Sequence, residues 1–145
     1  MPTVHDALLA DLDAVTLYRI LQLRTDVFVV EQHCPYAELD GRDLEASTRQ
    51  LWIERDAHVV ATLRLLVDED GAARIGRVAT ASSARREGLA GQLMRRALEL
   101  ASDVDVVLEA QTYLHEWYAQ FGFERDGADY IEDAIPHVPM RRGAR

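Results

Sequence analysis

The segment from Ile75 to Gly91, I-G-R-V-A-T-A-S-S-A-R-R-E-G-L-A-G, combines the parts of an anion-binding corner. An apolar, β-branched run leads into a turn carrying Arg85 and Arg86, then Gly88, then a long helical pattern. At such a corner free backbone N–H groups and the positive end of a helix converge on one spot, which suits a pyrophosphate. Gly88 lets the backbone approach closely and Ala90 keeps the next turn narrow. Taken alone, Arg-x-x-Gly-x-Ala fits equally a polar helix start that contains a glycine. Other reactive residue types are less well arranged. His33 and Cys34 are adjacent, so they cannot readily align as base and nucleophile, and no third orienting group is indicated. The histidines at 5, 33, 58, 115 and 137 lack metal-ligand spacing, and no metal is expected.

The elements that must position this corner follow from periodicity. Asp13, with Thr16 three residues on, predicts a helix cap before Leu17, Ile20, Leu21, Val27 and Phe28, which recur at helical spacing to about Val30. Residues 32–48 carry Cys34-Pro35 and Asp40-Gly41 and read as a long loop, of a length that is uncommon without a function. Leu51 to Glu54, His58 to Val67 and Arg74 to Ala81 read as an antiparallel meander. Gly76 with Ala79 and Ala81 makes the third of these strands small-sided, consistent with a bulge or a close approach. Ser82 or Ser83 is expected to cap a helix of about 18 residues that ends near Asp103. Asp105 to Ala110 is apolar enough for a strand buried on both faces and parallel to its predecessor. A short helix over Tyr113 to Phe121, stopped by Gly122, precedes two final strands near 123–130 and 134–141.

Composition sets the frame. The chain has 145 residues with 48% hydrophobic and 28% charged side chains, the balance of one soluble α/β domain spanning 1–145. Net charge is −9 and all sixteen basic residues are arginine, so nonspecific nucleic-acid binding is not expected. A single cysteine and the lack of an apolar run near the ~18 residues of a membrane span predict a cytoplasmic protein without membrane attachment. The charge is uneven. Residues 38–45 hold four acids and one arginine, 124–133 hold five acids and one arginine, and 74–96 hold six arginines and one glutamate. A basic end suits a phosphate-bearing ligand, and the acidic loops would attract a cationic one.

The chain resembles the GNAT superfamily of N-acetyltransferases. Arg85, Gly88 and Ala90 occupy the positions of its acetyl-CoA motif, and Tyr118-Ala119-Gln120-Phe121-Gly122-Phe123 matches its later tyrosine and Gly-Phe signature. V-F-V-V-E-Q at 27–32, C-P-Y at 34–36, E-L-D-G-R-D-L at 38–44 and I-P-H at 135–137 are similar to the ElaA-like subgroup. Arg86 stands where many members have glycine, and Gln111 where many have asparagine. The resemblance implies a mixed sheet of six to seven strands flanked by about four helices. It also implies an acetyl-CoA-dependent N-acetyltransferase using direct transfer in a ternary complex. Two alternatives on the same fold are a longer acyl donor and a CoA-binding sensor or interaction module without turnover.

Further implications are residue by residue. Main-chain groups at Val78, Ala79 and Thr80 would hold the pantetheine, and Arg85, Arg86, Glu87, Gly88, Leu89, Ala90 and Gly91, with Gln111, would complete the cofactor site. Tyr118 would act as the acid, because a phenol of pKa about 10 stays protonated and can donate to a thiolate whose conjugate acid is near 8.5. Its alternative role is packing beside Trp117 and Phe121. A main-chain N–H at Val78 or Ala79 would stabilise the oxyanion. The general base is open among Glu31, His137, Glu109 and a water chain, with His137 and Glu31 preferred because they lie in the subgroup's blocks. The acceptor would be a small-molecule or peptide amine. The chain has no lysine and so offers no side-chain amine of its own. A homodimer is one arrangement common to the fold.

Overall fold

The computed structural model describes residues 2–145. Its elements are β1 (His5–Leu8), α1 (Ala14–Thr25), β2 (Arg49–Arg55), β3 (His58–Val67), β4 (Ala73–Thr80), α2 (Leu89–Leu100), β5 (Val106–Gln111), α3 (His115–Ala119), β6 (Glu124–Arg125), β7 (Tyr130–Glu132) and β8 (Ile135–Arg142). They form one mixed sheet in the order β1-β2-β3-β4-β5-β8-β6, with β7 also paired to β8. All pairings are antiparallel except β4 with β5, where the α2 crossover returns the chain in the same direction. Eight strands exceed the six or seven expected. The four-residue β1 gave no periodic signal, and the strand expected near 123–130 divides into β6 and β7 around Gly127, whose φ is +159°. Three α-helices flank the sheet, against the roughly four that the resemblance implies, and the 32–48 segment is a loop as expected, with one 3-10 turn at Arg42–Leu44.

Each face of the sheet is covered by the element that the side-chain alternation dictates. Leu51, Leu63, Ile75, Val106 and Leu108 point to one face, where they bury Leu89, Leu93, Met94 and Ala97 of α2. Trp52, Val59 and Ala79 point to the other face, against Ile20, Leu23 and Val27. Asp13 caps α1 as its spacing predicts, accepting from the Thr16 N–H at 2.7 Å. Beyond Thr25 the helix widens into a π-helical turn, Asp26–Glu31, a rare form often found at functional sites. This turn carries Val27, Phe28 and Glu31 toward the middle of the sheet.

The expected Ser82/Ser83 cap and 18-residue helix are not observed. Residues 82–84 make a 3-10 turn and α2 begins only at Leu89, twelve residues long, with Gly88 as its N-cap. The reason lies in the backbone: Arg86 (φ +66°) and Gly88 (φ +77°) adopt left-handed conformations that a continuous helix cannot contain. The chain therefore curls between Arg85 and Gly88 before the helix starts.

Candidate active site

Two irregularities open the sheet at one place. Between Thr62/Ala79 and Arg64/Gly76, β3 advances two residues while β4 advances three, a bulge at Arg77 and Val78 with Arg77 at φ +53°. On its other side β4 pairs with β5 only at Ala73/Val106 and Arg74/Val107. Beyond Arg74 the two parallel strands separate, which frees main-chain N–H and C=O groups that a sheet would otherwise consume. The opening is the mouth of a cleft of about 1130 Å³. It is large for a single small ligand and suits an elongated one with room for a second.

At one end of the cleft stands the N-terminus of α2. Its first helical bond runs from the Gln92 N–H to the Gly88 carbonyl, so the N–H groups of Leu89, Ala90 and Gly91 precede the ladder and have no helical partner. Arg85, Arg86, Gly88, Leu89, Ala90 and Gly91 all line the cleft here. Glu87 does not: it turns to Arg55 on β2, at 2.6 Å. Arg85 spends its donors within the protein, its Nε on the Thr80 carbonyl at 3.1 Å and its two terminal nitrogens on Glu31 at 2.6 and 2.7 Å. Those two hydrogen bonds hold the Glu31 carboxyl below the usual carboxylate range.

In the middle of the cleft Val78, Ala79 and Thr80 face Gln111 and Tyr118 across the gap between β4 and β5. Tyr118 is 7% exposed, packs edge-on to Trp117 and Phe123, and lines the cleft. Its hydroxyl has no hydrogen-bond partner among the described residues. Burial, with a lesser contribution from Tyr113, pushes the phenol well above its ordinary pKa, so its proton stays in place.

Two of the candidate bases, His137 and Glu109, lie on the β5–β8 side, with His137 the register partner of Gln111, whereas Glu31 lies at the α2 end. His137 on β8 brings its Nδ1 to 2.7 Å from the Ile135 carbonyl. Since a carbonyl only accepts, the contact assigns the proton to Nδ1, and in the neutral ring Nε2 is then the acceptor. Tyr130 stacks on the imidazole at 5.5 Å and donates its hydroxyl to Glu109 at 2.7 Å. Glu109 is also held by Arg74 at 3.0 Å.

The acidic loops divide in a way that composition did not indicate. Glu38, Asp40 and Asp43 alternate with Arg24, Arg64 and Arg77 in a closed ring. Its contacts are Arg24–Glu38 3.1, Glu38–Arg77 2.6, Arg77–Asp40 3.4, Asp40–Arg64 2.6, Arg64–Asp43 3.2 and Asp43–Arg24 2.8 Å. Arg24 is fully buried. Three cations balance three anions, so the expectation that this loop attracts a cationic acceptor is corrected: its charge is spent on tying α1, β3 and the β4 bulge together. No spacing signal could have exposed the ring, since its partners lie far apart in the chain. In the 124–133 segment Asp126 pairs with Arg141 and Asp129 with Arg125. Glu132 and Asp133, at the β7–β8 turn, line the cleft with no ion pair among the described residues.

The chain belongs to the family of GNAT acetyltransferase domains. Residues 13–143 match the acetyltransferase (GNAT) domain family. Within that family the chain is ElaA-like. A UPF0039 protein of Mycobacterium tuberculosis is 51% identical over 136 residues, covering 91% of this chain and 87% of that one. The crystal structure of an acyl-CoA N-acyltransferase from Pseudomonas aeruginosa has a TM-score of 0.94 at 46% identity, covering 99% of this chain and all of the other. The crystal structure of Escherichia coli ElaA has a TM-score of 0.92 at 38% identity, covering 98% of this chain and 99% of the other. The chain is a GNAT-type N-acyltransferase. Among the described residues no cluster of three metal-binding side chains occurs and no helix is long and apolar enough to cross a membrane.

Proposed function

We propose that the chain transfers an acetyl group from acetyl-CoA to an amine that carries positive charge in solution and attacks directly, in its deprotonated form, within a ternary complex. The observation that carries this reading is the continuity of the cleft, from unbonded N–H groups at the α2 N-terminus, past the bulged strand and Tyr118, to a histidine with a free Nε2. The residues fit the cosubstrate: helix N–H groups with Arg86 suit the pyrophosphate, Arg85 shapes the loop, and the main chain at Val78, Ala79 and Thr80 can pair with pantetheine amides as an added strand would. Gln111 lies opposite them.

Bound acyl-CoA supplies the acyl group as a thioester. His137 Nε2 accepts the proton that the amine loses, and Glu31, bound by Arg85 and acidified, is the weaker candidate. A main-chain N–H at Val78 or Ala79 stabilises the oxyanion, and Tyr118 donates to the departing sulfur. Calorimetric titration with acetyl-CoA, followed by free-thiol release over a panel of amines, tests the reading. Saturable binding with amine-dependent release supports it. Binding without release makes the chain a CoA-binding module, release only with longer acyl-CoAs reassigns the donor, and no binding removes the reading.

The free carboxylates of Glu132 and Asp133 favour an acceptor with positive charge, because the other acids of the cleft are already paired. Glu132→Gln with Asp133→Asn should raise KM for a dicationic amine severalfold and leave KM for a monocationic one nearly unchanged. Equal KM values for both amines in the variant and the parent would dismiss electrostatic selection.

A further inference from the structure

Seven arginines line the cleft, and five of them hold a carboxylate: Arg42 with Asp68, Arg64 and Arg77 with Asp40, Arg74 with Glu109, and Arg85 with Glu31. Arg86 and Arg95 hold none among the described residues. Arg86 lies in the curled loop itself. Arg95 comes from the second turn of α2, yet its guanidinium folds back onto the first turn. Its terminal nitrogens lie 3.6 and 3.8 Å from the point that a Cβ on Gly91 would occupy, and the Phe121 ring tip lies 3.8 Å from the same point. That direction follows from helix geometry, which points side chains toward the N-terminus.

The result is an unpaired cation beside the positive end of a helix, an arrangement that is unfavourable until an anion arrives. Its position separates it from the loop. Glu87 and Arg85 lead away from the α2 N-terminus toward β2 and the π-helical turn after α1, through Arg55 and Glu31, whereas Arg95 sits on the Phe121 side. A coenzyme A molecule carries two anionic centres, the pyrophosphate and the phosphate monoester on its ribose, the latter with a charge of about −2 near neutrality. The N–H groups of Leu89, Ala90 and Gly91 with Arg86 account for the first.

We propose that Arg95, over the side-chain-free face of Gly91, forms a second phosphate subsite that binds the ribose phosphate monoester of the acyl donor; this rests on the acyl-CoA reading above. The subsite makes the cleft selective for coenzyme A over its dephospho form. Arg95 is exposed and outside both cores, so Arg95→Gln should fold as the parent does.

The test is calorimetric binding of coenzyme A and dephospho-coenzyme A to the parent chain and to Arg95→Gln. The parent is expected to bind coenzyme A about ten- to a hundredfold more tightly than the dephospho form, the range of a charge-assisted contact. The variant is expected to lose that preference while its affinity for dephospho-coenzyme A stays the same. Equal weakening toward both ligands would overturn the monoester assignment and make Arg95 a pyrophosphate ligand, and no change toward either would overturn the subsite. A parent chain that binds neither ligand defeats the acyl-CoA reading itself, a result distinct from both.

Discussion

Arg24→Ala is expected to lower the unfolding free energy by about 3–5 kcal/mol, because it leaves two buried carboxylates facing each other without their shared cation. Arg24 holds Asp43 through two nitrogens, at 2.8 and 3.1 Å, and Glu38 at 3.1 Å. Domains of this size are stable by only about 5–15 kcal/mol, so urea denaturation should show a large fall in the midpoint. Adding Asp43→Asn to Arg24→Ala should recover part of the loss, since it removes one of the stranded charges. If the double variant is the sum of the singles, the ring is not a coupled unit.

The same ring sets an acid limit. Hydrogen bonds from Arg64 hold the Asp40 carboxyl far below the usual range, and Arg24 and Arg64 depress Asp43 against the opposing effect of its burial. A carboxylate with a depressed folded-state pKa contributes stability that is present above its unfolded value, about 3.9, and is lost as pH falls through the folded value. Stability should therefore fall steeply below about pH 4. In Arg24→Ala, Asp43 has lost a partner that depresses its folded pKa, so the part of the decline that Asp43 contributes should be shallower than in the parent. A pH series of urea midpoints for both chains measures this.

Tyr118→Phe is the second large effect expected, on catalysis and not on folding. The ring packs against Trp117 and Phe123, contacts that phenylalanine retains, so thermal stability should change little. The lost hydroxyl is the group proposed to donate to the leaving sulfur, and removing a general acid costs about 10²–10⁴-fold in turnover. Free-thiol release should fall by that factor while calorimetric affinity for acetyl-CoA is preserved. The size of the effect follows from the site. Burial keeps the phenol protonated near neutrality, so its proton is available when the sulfur leaves with negative charge. Turnover equal to the parent's would take Tyr118 out of the acid role and leave it as a core side chain.

The ring arises where sequence and tertiary structure part company, whereas Tyr118 is read from the sequence directly. The Arg85-x-x-Gly88-x-Ala90 spacing, the Tyr118 to Phe123 block and the parallel strand after α2 were legible because each depends on residues close together in the chain. The start of α2 was misread for a related reason. Two serines before a helical pattern satisfy the rules for a cap, but the left-handed backbone at Arg86 and Gly88 is decided by what surrounds the loop, including Arg85 anchored on Glu31 and Glu87 on Arg55. The composition of residues 38–45 pointed to a negative surface, and the fold neutralised it.

What the sequence determined by itself is the set of faces and corners. Apolar alternation assigns Leu63 and Ile75 to one side of the sheet and Trp52 and Val59 to the other, and local spacing puts a phosphate-sized corner before α2. Only the tertiary structure decided which charges are free to act. Arg24 finds its partners 14 and 19 residues away and Arg85 finds Glu31 at a separation of 54. An ion pair depends on distance in space, and the path of the chain brings such residues together only once the hydrophobic faces have packed. The charges left over, Arg86 and Arg95 at one end of the cleft and Glu132 and Asp133 at the other, are what that pairing leaves exposed to a ligand.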